Sequence, residues 1–131
     1  MGLKKAKLTG KTQLTDDVIE LHFESLEDFE FKAGQFINIK IEDIEKSCFR
    51  AYSIASQPRT DKTFDLCIKV VDGGRASVWL DEIKEGTEIS FIGPIGNFVF
   101  ETPDDKETVF IATGTGIAPF LSMSGEQKGK K

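Results

Sequence analysis

Apolar and polar residues alternate along three stretches of the chain. In Val18–Glu24, Ile19, Leu21 and Phe23 fall on one face and Glu20, His22 and Glu24 on the other. A strand opening at Ala33-Gly34-Gln35 sets Ile37, Ile39 and Ile41 against Asn38 and Lys40. In Phe64–Val71, Phe64, Leu66, Ile68 and Val70 point one way and Asp65, Cys67 and Lys69 the other. A period of two predicts half-buried strands. Ala6–Leu14 reads as a weaker strand with Lys4, Lys5, Lys7 and Lys11 solvated, and Thr15-Asp16-Asp17 as a turn. Cys48–Ser56 is a further β-prone run, reached through a charged loop at Glu42–Lys46 and closed by the polar turn Ser56–Lys62, where Pro58 ends the strand. Glu88–Ile92 is another strand, followed by a tight turn at Gly93-Pro94-Ile95-Gly96 and a short strand at Asn97–Phe100. Glu27–Lys32 is acidic and irregular.

After Gly73-Gly74 the period changes. Ala76, Trp79, Leu80 and Ile83 stand at i, i+3, i+4 and i+7, one helical stripe, with Gly86 as its stop. Six or so short strands with one helix predict a closed antiparallel barrel over residues 1–101. Residues 102–106 read as a linker. Beyond it Val109-Phe110-Ile111-Ala112 is continuously apolar, the pattern of a strand buried on both faces. Thr113-Gly114-Thr115-Gly116 and Ile117–Leu121 then give a glycine turn and a helix start, the opening of a dinucleotide-binding α/β domain across 107–121. Residues 122–131 read as a disordered polar tail.

Composition narrows the class. The chain has 131 residues, enough for one good core, and is 39% hydrophobic and 30% charged, as a folded domain is. Eleven Phe against one Trp and one Tyr make the core Phe-rich. A net charge of -5 argues against a nucleic acid partner. Cys48 and Cys67 fit neither a zinc nor an iron–sulfur spacing, so no metal site is expected. No apolar run suits a signal peptide or a membrane span, which predicts a cytoplasmic protein.

Three stretches could carry chemistry. Arg50-Ala51-Tyr52-Ser53 offers a fork of donors for a pyrophosphate, a flat ring, and a hydroxyl that donates or accepts as its partner changes. Together these suit a flavin dinucleotide, though an ordinary strand with one surface Arg would have the same four residues. Strict alternation puts Ser53 on the face opposite Arg50 and Tyr52 unless the strand bends or ends there. Gly73-Gly74-Arg75-Ala76-Ser77 opens a helix, whose free N–H groups suit a phosphate, with the Ser77 hydroxyl as a further donor. Thr113–Pro119 could cradle a second pyrophosphate or touch a flavin edge. His22, the one histidine, falls on a polar face and reads as a solvated side chain.

Arg50-Ala51-Tyr52-Ser53, Gly74-Arg75-Ala76-Ser77, Gly93-Pro94-Ile95-Gly96 and Gly114-Thr115-Gly116-Ile117-Ala118-Pro119 stand in the order and spacing of the ferredoxin–NADP reductase-like flavoproteins, which the chain resembles from about Gly34 to Leu121. The resemblance implies an all-β fold: a six-stranded antiparallel Greek-key β-barrel for FAD with one capping α-helix. The first strand and turn of an incomplete α/β domain for a nicotinamide nucleotide would follow. It implies that Arg50 binds the pyrophosphate, Tyr52 packs on the flavin and ribityl chain, and Ser53, the catalytic candidate, faces flavin N5. It implies further that the backbone of Cys67, Ile68 and Lys69 lines the cofactor and that Gly74, Arg75, Ala76 and Ser77 turn at the phosphates. Thr115 would lie near the flavin, and Gly114, Thr115 and Gly116 would serve the nicotinamide nucleotide.

The first functional reading is therefore the FAD domain of an oxidoreductase that takes a hydride from NADH or NADPH at flavin N5. It would pass electrons to a redox protein or a small-molecule acceptor. The residues that choose between NADH and NADPH lie outside the sequence, so this chain alone is expected to bind FAD and to be a poor catalyst. A non-catalytic flavin-binding module is the second reading, and a cofactor-free barrel for protein contacts the third.

Overall fold

The computed structural model describes residues 2–42, 47–99, 109 and 111–127, with side chains to 124. The expected features at 43–46, Phe100, the linker 102–106, Phe110 and 128–131 lie outside the described residues.

Six strands form one antiparallel sheet: β1 (Lys4–Gln13), β2 (Val18–Ser25), β3 (Phe36–Glu42), β4 (Ser47–Ser53), β5 (Thr63–Lys69) and β6 (Glu88–Ile95). Their order is β4-β3-β6-β1-β2-β5. The sheet curls until its two ends meet, where Ile54, just past β4, bridges Leu66 of β5. The result is the Greek-key barrel, capped by α1 (Arg75–Glu82).

The alternating stretches form the interior. Ile19, Leu21, Phe23, Ile37, Ile39, Ile41, Phe64, Leu66 and Ile68 are all buried. The helix stripe of Ala76, Leu80 and Ile83 is buried with them, and Trp79 packs at its margin. Two core contributors, Phe29 and Phe31, lie where the sequence reads only as acidic loop. Phe29 is buried in the middle of the barrel end, 5.0 Å from the Phe64 ring and edge-on to Phe91 at 5.3 Å. Its charged neighbours hide it from any periodicity.

Four expectations change. Gly93-Pro94-Ile95 is not a turn but the end of β6. Phe36 pairs with Ile95 and Asn38 with Ile92, so β6 spends one more residue than β3 over this interval. That is a bulge, where a proline fits a strand; the Gly93–Pro94 bond is cis. Asn97–Val99 form no strand.

Val109 and Ile111, expected in a doubly buried strand, are 76% and 85% exposed and outside any strand. No neighbouring strand among the described residues pairs with them. The supposed polar tail is helical instead over most of its length: α2 (Ala118–Gln127) carries Ser122 and Met123 into buried positions. The apolar face Ala118, Met123 was too sparse to register as a period. Phe120 meets Phe98 edge-on at 5.6 Å. Gly34, at φ +103, lies so close that a Cβ there would strike the Phe98 carbonyl oxygen and stand 2.7 Å from the Met123 methyl. These contacts seat α2 on the barrel.

Candidate functional site

The site begins with the register of β4 on β3. Tyr52 pairs with Ile37, Arg50 with Ile39 and Cys48 with Ile41. Cross-strand partners share a face, so Arg50 and Tyr52 continue the face of three fully buried isoleucines. Yet Arg50 is exposed and Tyr52 only half-buried. Among the described residues the Arg50 guanidinium donates only to the Phe49 carbonyl oxygen, at 2.9 Å. Burial raises the Tyr52 phenol pKa above its ordinary value, and the Arg50 charge draws it back in part.

β4 changes partner at its end. Ser53 is its last pair with β3, opposite Phe36. Ile54 N still donates to Gln35 O at 3.1 Å, but Ala55 N donates to Asp65 O at 2.8 Å, on β5. Successive N–H groups of an extended chain point to opposite edges, so the segment just past Ser53 lies between β3 and β5, while Ser53 itself keeps its register opposite Phe36.

β5 supplies the facing wall. Asp65 turns both backbone groups toward β4, its N–H to Ser56 Oγ at 2.9 Å and its C=O to Ala55. Antiparallel ladders alternate, so Cys67 and Lys69 direct their backbone groups to the same edge. No described strand pairs with that edge beyond Leu66. Ile68 turns its side chain into the core and, by the same alternation, its backbone groups toward β2, so it offers this edge nothing; Lys69 reaches out to Asp17 at 4.0 Å and can serve a ligand here through its backbone.

Cys67, Ala55 and Ala118 form a small apolar cluster. It brings the start of α2, and with it the 3-10 turn Gly114–Ile117 and half-buried Thr115, to the β5 side of the cleft. Burial first, then the charges of Glu20 and Asp65, push the Cys67 thiol above its ordinary pKa.

The helix start at Gly74 has no side-chain cap, and its first turn holds no acid. The N–H groups of Arg75, Ala76 and Ser77 precede the first intrahelical bond, Val78 N to Gly74 O at 3.0 Å. They are the donors a phosphate uses. The Ser77 hydroxyl is not one of them. It is buried, accepts from Val71 N at 3.0 Å and faces Gly74 O at 3.5 Å. The loop's own N–H claimed it, and Ser77 can offer only its backbone.

His22 also departs from expectation. Its ring lies over Gly10, where a Cβ would come within 3.4 Å of Cδ2. Nδ1 donates to Asp65 Oδ1 at 2.8 Å, and Nε2 lies 3.0 Å from Thr12 Oγ1 and 3.5 Å from Glu20 Oε1. Glu20, His22 and Asp65 hold donor atoms within 4.8 Å of one another. Both ring nitrogens are engaged, and Arg59 occupies Asp65 Oδ2 at 3.1 Å, so the cluster reads as a hydrogen-bonded network.

The model of the oxidoreductase FAD-binding domain family matches residues 5–100. The chain belongs to that family. It is the FAD-binding domain of the ferredoxin–NADP reductase-like flavoproteins. A glycine betaine monooxygenase reductase subunit of Pseudomonas aeruginosa is 42% identical over 98 residues, 73% of this chain and 26% of its own length. A ferredoxin–NADP reductase B of Sorangium cellulosum is 36% identical over 121 residues, 91% of this chain and 50% of its own. Among solved structures, the ferredoxin reductase in carbazole 1,9a-dioxygenase superposes with TM-score 0.88 at 26% identity, over 98% of this chain and 39% of the other. This FAD-binding domain thus spans between a quarter and half the length of these relatives. No described helix is long and apolar enough to cross a membrane.

Sequence reasoning singled out Arg50, Tyr52 and the helix start, and the structure leaves Arg50 exposed and Tyr52 half-buried on one face of β4. It missed the β4–β5 seam of Ala55, Ser56 and Asp65. The one trace of it was an acidic residue at an outward position of a strand otherwise built for the core.

Proposed function

We propose that this domain binds FAD in the β4–β5 cleft as part of an NAD(P)H-dependent flavin reductase. The observation that carries the reading is the Arg50–Tyr52 face of β4. It continues a buried face, yet no described strand covers it, and the unpaired edge of β5 stands beside it. When bound, FAD supplies a centre that accepts a hydride and releases electrons one at a time. The residues divide the remaining work. Arg50 holds the pyrophosphate with charge-assisted bonds. The N–H groups of Arg75, Ala76 and Ser77 hold a phosphate at the helix start. Tyr52 lays its ring against the flavin. Ser53 gives or accepts a hydrogen bond at N5 as that atom gains or loses its proton. The backbone of Cys67 and Lys69 lines the wall, and Thr115 touches the flavin edge. Gly114, Thr115 and Gly116 approach the nicotinamide nucleotide.

The electron donor is NADH or NADPH, and the acceptor is a redox protein. The names of the relatives, reductase components of monooxygenases and of propane 2-monooxygenase among them, support this. The setting is cytoplasmic, consistent with Cys48 and Cys67 remaining free thiols.

The test is titration of the chain with FAD and with FMN, followed by flavin fluorescence. FAD should bind well and FMN, lacking the pyrophosphate and adenosine, at least about tenfold more weakly, since each charge-assisted phosphate bond contributes roughly 1.5–3 kcal/mol. Equal affinity for the two would remove the dinucleotide reading.

A further inference from the structure

Asp65 is engaged through both its backbone and its carboxylate. Its backbone N–H goes to Ser56 Oγ at 2.9 Å, and its C=O takes Ala55 N at 2.8 Å. Its carboxylate accepts from His22 Nδ1 at 2.8 Å and from Arg59 at 3.1 Å, with only 14% of the side chain exposed. Each of these partners is itself held. His22 is tied to Thr12 of β1 at 3.0 Å. Arg59 donates to Thr63 Oγ1 at 3.2 Å, and Thr63 bonds Asp61 Oδ1 through its hydroxyl at 2.6 Å. A chain of bonds therefore runs from β1 across β2 to β5 and into the turn after β4. It ends at Ala55 and Ser56, two and three residues past Ser53. Together with the Ile54–Leu66 bridge, the two Asp65 backbone bonds join β5 to the segment past β4 here.

We infer that Asp65 is a positioning residue for Ser53: its carboxylate, fixed by His22 and Arg59, sets the β5 backbone that receives Ala55 and so fixes where the Ser53 hydroxyl stands. The inference rests on the proposed placing of Ser53 at flavin N5. Arg50 and the helix start are proposed to grip other parts of the ligand, and the Arg50 guanidinium's bond among the described residues is to Phe49 O, outside this network. Loosening Asp65 therefore disturbs the Ser53 end and leaves the grip on the dinucleotide nearly unchanged.

The experiment uses the intact chain with Asp65→Asn, which keeps the backbone groups and the shape but loses the charge. Arg59→Ala is a milder second variant. In the FAD-free chain, amide hydrogen exchange at Ala55 should speed up by about tenfold or more, because a bond to a charged group is lost from the local closing equilibrium. Exchange at mid-sheet Ile39 should not change. With FAD loaded, affinity should stay within about threefold of wild type. The flavin midpoint potential should move in the same direction as in Ser53→Ala, and the double variant should move it no further than Ser53→Ala alone. Unchanged exchange at Ala55 in both variants would overturn the seam. Additive shifts in the double variant would overturn the action through Ser53. A Ser53→Ala chain with the wild-type potential would sink the placing at N5 by itself, and the Ala55 exchange would still decide whether Asp65 holds the seam.

Discussion

β2 and β4 are both short antiparallel strands of one barrel, but they bury their residues in opposite ways. β2 lies between β1 and β5, and its buried and half-buried residues alternate without a break from Val18 to Ser25. β4 has β3 on one side and none of its residues is buried. Its inward face does not lack bulk, since Cys48, Arg50 and Tyr52 stand opposite three isoleucines. What it lacks is a second protein layer. The contrast teaches that a strand with a good register and no burial is an incomplete piece of core. Its missing layer should be sought among ligands with the charge and shape of the side chains left showing.

The sharpest way to separate the two regions is to damage each and watch different quantities. Phe64→Ala removes a ring that contacts Phe23, Phe29 and Phe91. It should cost about 3–5 kcal/mol in urea unfolding, much of the stability such a domain has, and should weaken FAD binding only as far as it unfolds the chain. Arg50→Ala should do the reverse. Unfolding should stay within about 0.5 kcal/mol of wild type, while FAD affinity falls roughly 10- to 150-fold, the equivalent of one bond to a charged group. Arg50→Lys should recover part of the loss, because lysine keeps the charge without the fork. If Arg50→Ala destabilises the free chain as Phe64→Ala does, β4 is core after all and the contrast fails.

The smallest effect lies at Cys67, on the border of the two regions. Its thiol is buried beside Glu20 and Asp65 and has a raised pKa in the folded chain. A raised acid favours its neutral form on folding. The contribution is therefore whole below the unfolded thiol's pKa, near 8.5, and fades as pH rises through that value toward the folded one. Urea midpoints from neutral to mildly alkaline pH should fall more steeply in the wild-type chain than in Cys67→Ala. Parallel slopes would mean that the thiol is open to water and that α2 does not cover it.

The barrel was legible because its interior strands repeat with period two and its helix with period 3.6, and packing rewards both patterns wherever they occur. Arg50, Tyr52 and the Gly74 helix start stand out in the sequence for a different reason. Their side chains or N–H groups are suited to chemistry the core has no use for. What stayed hidden depends on contacts distant in sequence. Phe29 reaches the core from a loop whose charges mask it. Ser77 looks like a ligand donor until Val71 N is seen to need it. α2 is held by Gly34 and Phe98, far away in sequence, while its own residues are mostly small and polar. Val109 and Ile111 mislead in the other direction, for an apolar run becomes a buried strand only where there is a sheet to receive it.

Gly34 also bears on what the chain can tolerate by mutation. Its α-hydrogen faces a backbone oxygen of Phe98 and the end of Met123, and its φ of +103 is one that side chains rarely adopt. Every single-base change of a glycine codon that alters the residue without stopping the chain introduces a Cβ. At this position each of those substitutions meets the Phe98 carbonyl, which cannot turn aside as a side chain would. The join between barrel and α2 therefore has no neighbouring genotype that preserves it. Gly2, with nothing within 4 Å of a Cβ, is a position that drift can exchange, whereas position 34 can change only if Phe98 and α2 move with it.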